Sequence, residues 1–153
     1  MTIDTPAIAA IPPGTPERIP EGFEPHFRPS PLTAPWEPIY SKRTPDAVIL
    51  GLCLAEPHTN SRGLAHGGFI TSLADNAMGL SCGAKRGDGN TRLITVSLAI
   101  DFIASARIGQ WLAFETDVIK LGSNLCFAQC FVIADGARIA RANGTFSVVK
   151  KRE

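Results

Sequence analysis

The chain has 153 residues, 44% of them hydrophobic, and a formal net charge of +1 at pH 7. This length and composition predict one domain with a sizeable apolar core. The near-zero charge argues against nucleic acid as the main partner, because duplex-binding proteins usually carry a clear basic surface. No run of about 18 apolar residues occurs, so we expect neither a transmembrane helix nor a membrane partner.

Prolines dominate the first part of the chain, where eleven of the twelve lie within residues 6–45. Because proline excludes regular helix and central strands, residues 1–40 are predicted to form an extended arm, followed by a folded domain over 41–153. The arm carries large aromatic side chains, which favour docking on its own domain or on a neighbouring subunit over a floppy tail: Phe23, Phe27 and Trp36.

The cysteines and histidines show no metal-ligand spacing. None of the cysteines forms a C-x-x-C pair and each lies in apolar sequence, at Cys53, Cys82, Cys126 and Cys130. We interpret them as reduced core residues of a cytoplasmic protein without a metal site. No basic residue precedes Arg18, and the N-terminus lacks a sustained apolar stretch, so a secretory signal is not expected.

From residue 46 onward the pattern is that of one helix among strands. Residues 46–55 are predicted to form a buried strand, 57–65 a polar loop, 66–85 a helix and 87–90 a turn. Four strands separated by turn residues then follow, at 92–105, 111–121, 125–134 and 137–150. An Asp-Gly pair at 135–136 predicts a tight hairpin between the last two strands.

Short turns between consecutive strands imply an antiparallel sheet. The helix of about 18 residues would be ~27 Å long. Its side chains are apolar nearly all round, as expected for a helix that a sheet encloses. The sequence therefore predicts an α+β fold in which a curved antiparallel sheet of five to six strands wraps round one long central helix.

Residues 58–79, HTNSRGLAHGGFITSLADNAMG, combine a polar loop, two adjacent glycines and a carboxylate within the apolar helix. An unpaired buried charge costs on the order of several kcal/mol, so Asp75 is expected to have either a partner or a chemical role. Gly67 and Gly68 open the helix, where free N–H groups and the helix dipole favour negative charge. Alternatively, the two glycines merely begin a helix that packs closely against the sheet.

Seven residues of this stretch fit the pattern H-x-N-x-x-G-x-x-H-G-G with an acidic residue seven positions after the second glycine: His58, Asn60, Gly63, His66, Gly67, Gly68 and Asp75. In this pattern the chain resembles the hotdog-fold acyl-CoA thioesterases of the PaaI type, in the 4-hydroxybenzoyl-CoA thioesterase-like superfamily. The resemblance covers residues 46–150. It implies hydrolysis of an acyl- or aryl-CoA thioester to free acid and CoA, with CoA as part of the substrate and no other cofactor.

The resemblance also implies roles for the main residues of the site. The Gly67 N–H would polarise the thioester carbonyl, and Asp75 would activate water or attack the carbonyl itself. Asn60 would contact the carbonyl or position the water, although an Asn in a polar loop also commonly builds a turn. Thr95 lies at the family's hydroxyl position and would orient the water, although a threonine is also an ordinary strand residue. A purely structural carboxylate is the alternative for Asp75.

Further residues are candidates for substrate binding. His66, Gly68 and Arg62 are assigned to the substrate-binding side of the site, and His58 is interpreted as structural to the loop. Ser97 and Ala99 stand where relatives often carry an acidic residue or Asn. The phosphates of CoA require basic residues, for which the candidates are Arg62, Lys85, Arg86, Arg107 and Arg141. Candidate pocket walls are Phe69, Met78, Leu80 and Phe102.

Eight residues separate Gly67 from Asp75, which is ~12 Å along a helix. One helix therefore cannot easily place both groups on the same carbonyl, whereas two antiparallel helices from two subunits can. This spacing predicts a homodimer with composite sites, in which Asn60, His66 and Gly67 come from one chain and Asp75 and Thr95 from the other. The resemblance further implies that two dimers pair into a homotetramer.

Two other functions remain open from the sequence. One is a hydratase or dehydratase of the same fold acting on enoyl thioesters, although such relatives generally place a His and an acidic residue differently. The other is a non-catalytic acyl-CoA sensor or scaffold, which would have no use for a base such as Asp75.

Overall fold

The computed structural model describes residues 19–151; the first part of the predicted arm, residues 1–18, and the end of the charged tail lie outside the described residues. Within them, the chain forms seven strands and one long helix: β1 Glu24–Pro25, β2 Tyr40–Arg43, β3 Val48–Cys53, α1 Gly67–Arg86, β4 Thr91–Phe102, β5 Trp111–Leu121, β6 Leu125–Ala134 and β7 Ala137–Lys150. Two 3-10 helices, Ala34–Trp36 and Glu56–His58, precede α1.

All seven described strands form one sheet in the order β1-β2-β3-β5-β6-β7-β4. Every neighbouring pair is antiparallel. Because α1 contacts five of the strands, from β3 at one side to β4 at the other, the sheet must curve round the helix. The predicted α+β architecture is thus confirmed, but the prediction of five to six strands is wrong.

The additional strands come from the proline-rich region. β1 pairs with β2, and β2 pairs with β3, so both extend one edge of the sheet. The two-residue β1 contains Pro25, which is tolerated there because proline is compatible with an edge strand. Such short segments carry no detectable alternation, and only the neighbouring strand makes them part of a sheet.

Turn chemistry fixes two connections as the sequence predicts. Asp135 and Gly136 both have positive φ, 45° and 85°, the conformation that a two-residue hairpin between twisted strands requires. At the end of α1, Gly87 adopts a left-handed conformation with φ 65°, and its N–H donates to the Gly83 carbonyl. The helix therefore ends at Arg86, one residue beyond the predicted end.

The helix is buried on one face only, so the prediction of a fully enclosed helix is wrong. Its buried residues repeat in adjacent pairs at helical spacing, Phe69, Ile70, Leu73, Ala74, Ala77, Met78, Ser81 and Cys82. The opposite face, with Asp75, Asn76, Gly79 and Gly83, is only partly covered by the described chain. Because small residues such as Gly and Ala lie on both faces, hydropathy alone did not distinguish them.

A single apolar core lies between α1 and the concave face of the sheet, and it includes Leu50, Leu73, Phe114 and Phe146. The buried hydroxyl of Ser81 is satisfied, because the Val48 N–H donates to it at 3.0 Å and it donates to the Val48 carbonyl at 3.2 Å. All four cysteines are buried and free, as the sequence predicts. Burial raises the pKa of the Cys82 and Cys130 thiols to about 12.

Candidate functional site

A polar loop, residues 59–66, leads directly into α1. Its turn is built by Asn60, whose Oδ1 accepts from the N–H groups of Arg62 at 2.9 Å and Leu64 at 3.2 Å. Gly63 closes the turn with φ +70°, a conformation that favours glycine. Among the described residues no acceptor engages the Asn60 Nδ2, so that group can donate to a ligand.

The first turn of α1 presents an unpaired backbone donor. His66 caps the helix, and its Nδ1 accepts from the Gly68 N–H at 2.9 Å. The Ile70 N–H donates to the His66 carbonyl at 3.0 Å and begins the helical pattern. The N–H groups of Gly68 and Ile70 are thus hydrogen-bonded, whereas the N–H of Gly67 has no acceptor within residues 19–151. This free donor lies at the positive end of the helix dipole and suits a developing negative charge.

Phe102 lies directly beside this donor. A Cβ at Gly67 would come within 3.1 Å of the Phe102 Cζ, so glycine permits this close approach of ring and backbone. The Phe102 side chain is exposed. Of the other candidate wall residues, Phe69 and Met78 belong to the core, whereas Leu80 is only partly buried.

Asp75 and Thr95 come together within the same chain. The Thr95 hydroxyl donates to Asp75 Oδ1 at 2.7 Å, a length typical of a bond to a charged acceptor. Asp75 lies on the flank of α1 that the sheet leaves open and is only half-buried, so the expectation of a buried carboxylate is wrong. No described residue engages its Oδ2, which leaves that oxygen free for water.

A β-bulge aims Thr95 at the helix. The pairing of β4 with β7 shifts register between Thr95 and Ser97, leaving Val96 as the extra residue. The extra residue shifts the alternation of the strand by one position. Odd-numbered side chains such as Leu93 face the core before the bulge, and even-numbered ones such as Leu98 face it afterwards. Ser97 is exposed as a result, and it does not approach the site that Thr95 and Asp75 form.

Asp75 and Thr95 line a cleft of about 1030 Å³ between the open face of α1 and the start of β4. The arm forms the opposite wall with residues 26–30, and Arg43 of β2 lies beside them. Gly67 and Asn60 do not line this cleft. The structure therefore brings together Asp75 with Thr95, and separately Asn60, His66, Gly67 and Gly68, but a single chain does not join the two groups.

The basic candidates fall into two classes. Three are paired: Lys85 with Asp46, Arg86 with Asp88, and Arg141 with Asp101. The side chains of Arg62 and Arg107 have no partner in the described part of the chain. The cleft adds basic residues that sequence reasoning missed because the arm and the sheet edges bring them together only in the fold: Arg28, Arg43, Arg92 and Lys151.

Two negative findings apply to residues 19–151. No group of three or more His, Cys, Asp or Glu side chains is placed to hold a metal ion. No helix there is long and apolar enough to cross a membrane.

Comparison with known proteins places the chain in a family. Residues 62–140 match the family model of the thioesterase superfamily. The chain is 36% identical to Pseudomonas aeruginosa PA0474, a protein with a provisional esterase name, over 84% of this chain and 96% of the relative. It is 30% identical to human acyl-coenzyme A thioesterase 13, over 66% of this chain and 72% of the relative.

Solved structures of thioesterases share the fold of this chain. A hypothetical thioesterase from Streptococcus pneumoniae, crystallised with coenzyme A, superposes with a TM-score of 0.69 at 19% identity, covering 77% of this chain and 94% of the other. The chain belongs to the thioesterase superfamily. It is a thioester hydrolase with the hotdog fold of the PaaI-like enzymes, and the resemblance seen in the sequence is confirmed.

Proposed function

We propose that the protein hydrolyses an acyl- or aryl-CoA thioester to the free acid and CoA. The observation that supports this proposal is that α1 has a free N–H at its first residue, Gly67, and carries a half-exposed carboxylate, Asp75, about two turns later. The hydroxyl of Thr95 on β4 donates to that carboxylate. The relatives support it, because one is named an acyl-coenzyme A thioesterase and a structural neighbour was crystallised with coenzyme A.

The Gly67 N–H stabilises the oxyanion that forms when the thioester carbonyl is attacked. Its lack of an intramolecular acceptor and its position at the helix N-terminus favour this role. The Asn60 Nδ2 is a second donor for the same oxygen or for the attacking water. His66 and Gly68 hold the donor in place, because the hydrogen bond from the Gly68 N–H to His66 Nδ1 fixes the first turn of the helix.

Asp75 takes a proton from water, and the hydroxide attacks the carbonyl carbon to give a tetrahedral intermediate. When the intermediate collapses, the carbon–sulfur bond breaks and the CoA thiolate leaves, taking the proton that Asp75 received from water, which restores the Asp75 carboxylate. Alternatively, Asp75 attacks the carbonyl itself and forms a mixed anhydride that water then opens. Label found in Asp75 after a single turnover in ¹⁸O-labelled water would establish the anhydride route, because only water attack on the Asp75 side of the anhydride places the label there.

The catalytic unit in this proposal is a homodimer. Gly67 and Asp75 are eight residues apart on one straight helix, about 12 Å, so one carbonyl cannot contact both in a single chain. The open face of α1 and the free edge of β4 supply the surface that a second copy covers. Exposed apolar side chains mark that edge, Ile94, Val96, Phe102 and Ile103.

A subunit-mixing experiment tests the composite site. Gly67→Pro removes the donor and Asp75→Ala removes the carboxylate, so each homodimer has no complete site. A heterodimer has one complete site of two, and random mixing makes half of the dimers heterodimers, so about a quarter of wild-type activity returns. No recovery after demonstrated subunit exchange would contradict the shared site.

Arg62 is the proposed contact for a CoA phosphate, because it is exposed, unpaired and adjacent to the Asn60 turn.

The cytoplasmic location and the pairing of dimers into a tetramer stay predictions. A hydratase role is less favoured, because the Nδ1 of His66, the histidine next to the donor, is already engaged as the helix cap.

Thiol release from a panel of short, medium, long and aromatic acyl-CoAs tests the proposed function. We expect turnover of at least one class, which would also identify the acyl group. Measurable binding of acyl-CoA without release of thiol from any member of the panel would overturn the proposal in favour of a sensor.

A further inference from the structure

His58 is a buried titratable residue for which the proposed chemistry has no use. Its side chain is 2% exposed, and its ring stacks on Phe69 with centroids 4.7 Å apart and an angle of 15°. The Ala55 N–H donates to Nδ1 at 2.9 Å, so Nδ1 is unprotonated. The proton is therefore on Nε2, which donates to the Trp36 carbonyl at 2.9 Å.

The backbone of His58 holds the loop that ends at the free donor. Its carbonyl accepts from the His66 N–H at 2.9 Å, closing a narrow hairpin over residues 58–66. Inside this hairpin Thr59 bridges to Ala65. The loop is also held by the Ala65 N–H, which donates to the Ala106 carbonyl at 2.9 Å. Because His66 directly precedes Gly67, the bond from His66 to the His58 carbonyl helps to fix where the Gly67 N–H lies.

The arm is attached at this same place. Trp36, the last residue of a 3-10 helix in the arm, meets the Phe69 ring edge-on at 5.2 Å and 88°. Its carbonyl is the acceptor for His58. Trp36 thus contacts both His58 and Phe69, of which the first anchors the loop before Gly67 and the second lies two residues after it.

We propose that Trp36 and His58 are positioning residues for the Gly67 N–H, which makes the arm a working part of the active site. The inference rests on the proposed function, in which that N–H contacts the thioester carbonyl. It goes beyond the family pattern, because Trp36 lies in the proline-rich arm, outside residues 46–150.

Phe23 provides a matched control for Trp36. It also belongs to the arm and also packs edge-on against an aromatic ring, that of Trp111, at 5.1 Å and 75°. Its contact lies over Gly51 on the sheet, away from the hairpin that carries His66. Phe23→Ala therefore removes a contact between the arm and the sheet and leaves the loop before Gly67 unchanged. Trp36→Ala also removes an arm contact, but that contact lies beside the loop.

The kinetic test compares kcat with KM at a temperature where every variant is folded. Misplacing a group in an active site by about 1 Å costs on the order of 100-fold in rate, so we expect Trp36→Ala and His58→Asn to lower kcat between about 10-fold and 100-fold. KM should stay within about twofold. Trp36→Phe and His58→Gln should recover most of kcat, the first by keeping a ring on Phe69 and the second by keeping a donor for the Trp36 carbonyl. Phe23→Ala should lower stability and leave kcat unchanged.

A second readout does not depend on activity. Amide hydrogen exchange of His66 reports directly on its bond to the His58 carbonyl. It should speed up in Trp36→Ala and in His58→Asn, but not in Phe23→Ala.

A wild type without turnover would refute the proposed function, and His66 exchange would still decide the positioning role. Folded variants with unchanged kcat and unchanged His66 exchange would overturn the inference, as would an equal effect of Phe23→Ala. If His58→Asn does not fold, the pair Trp36→Ala and Trp36→Phe decides in the same way.

Discussion

Gly67→Pro removes the proposed oxyanion donor with little other change. Gly67 is the first residue of α1, where proline is tolerated because its missing N–H has no helical partner. The residue before it, His66, has an extended backbone with φ −72° and ψ 131°, which also accommodates a following proline. The substitution therefore deletes one N–H while leaving the helix able to form.

The expected magnitude follows from the role of that donor. Removing one donor of an oxyanion hole typically lowers kcat by about 10²–10³, equivalent to ~3–4 kcal/mol of transition-state stabilisation. The matched control is Gly67→Ala, which brings a Cβ to the same 3.1 Å contact with Phe102 but keeps the N–H. Because Phe102 is exposed and its ring can shift, the alanine variant should retain most of its activity.

The assay is CoA release at saturating acyl-CoA, followed with a colorimetric thiol reagent, with circular dichroism to confirm the helix. We expect a deep loss of kcat in Gly67→Pro and at most a severalfold loss in Gly67→Ala. Equal kcat values in the two folded variants would contradict the oxyanion role of Gly67, because the proline variant loses the N–H and the alanine variant keeps it.

Three further predictions concern residues around the two halves of the site. His66→Ala should lower the free energy of unfolding by about 1 kcal/mol in a urea titration through loss of the helix cap, whereas His66→Asn keeps a capping oxygen; equal losses would contradict the capping role. Burial lowers the pKa of His58 below its ordinary 6.5, so the unfolded chain takes up a proton first and the free energy of unfolding decreases as the pH falls below about 6.5. This decrease should be smaller in His58→Gln, and identical pH profiles would count against it. Thr95→Val should lower kcat about tenfold, or ~1.4 kcal/mol, by freeing the Asp75 carboxylate to rotate, while Thr95→Ser retains activity; equal losses in both would show that the hydroxyl is not needed.

Local chemistry made much of the fold predictable. The Asp135-Gly136 hairpin was predicted from conformations that few residues adopt, and the structure has it. The turn predicted at 87–90 begins where Gly87 ends the helix with φ 65°. The long helix was predictable from the spacing of its apolar residues, and the antiparallel pairing of the strands was predictable from the short turns between them. The short strands β1 and β2 could not be predicted, because each belongs to the sheet only through its neighbour, β2 in the case of β1 and β3 in the case of β2.

The site was predictable as a set of residues and less so as a geometry. The pattern from His58 to Asp75 placed the donor and the carboxylate on one helix, as the structure has them. The half-exposure of Asp75 depends on which helix face the sheet leaves open. The direction of Thr95 depends on the bulge at Val96, and neither feature has a local signal in the sequence. The contact of Trp36 with His58 joins residues 22 positions apart and appears only in the fold.

In the proposed mechanism, Asp75 activates water or attacks the thioester while the Gly67 N–H holds the carbonyl. The most direct measurement is kcat of Asp75→Ala on the acyl-CoA that the wild type prefers, together with its melting temperature. A general base contributes about 10²–10⁴-fold, so we expect a loss in that range from a protein that melts near the wild-type temperature. A folded Asp75→Ala with near-normal turnover would contradict the account.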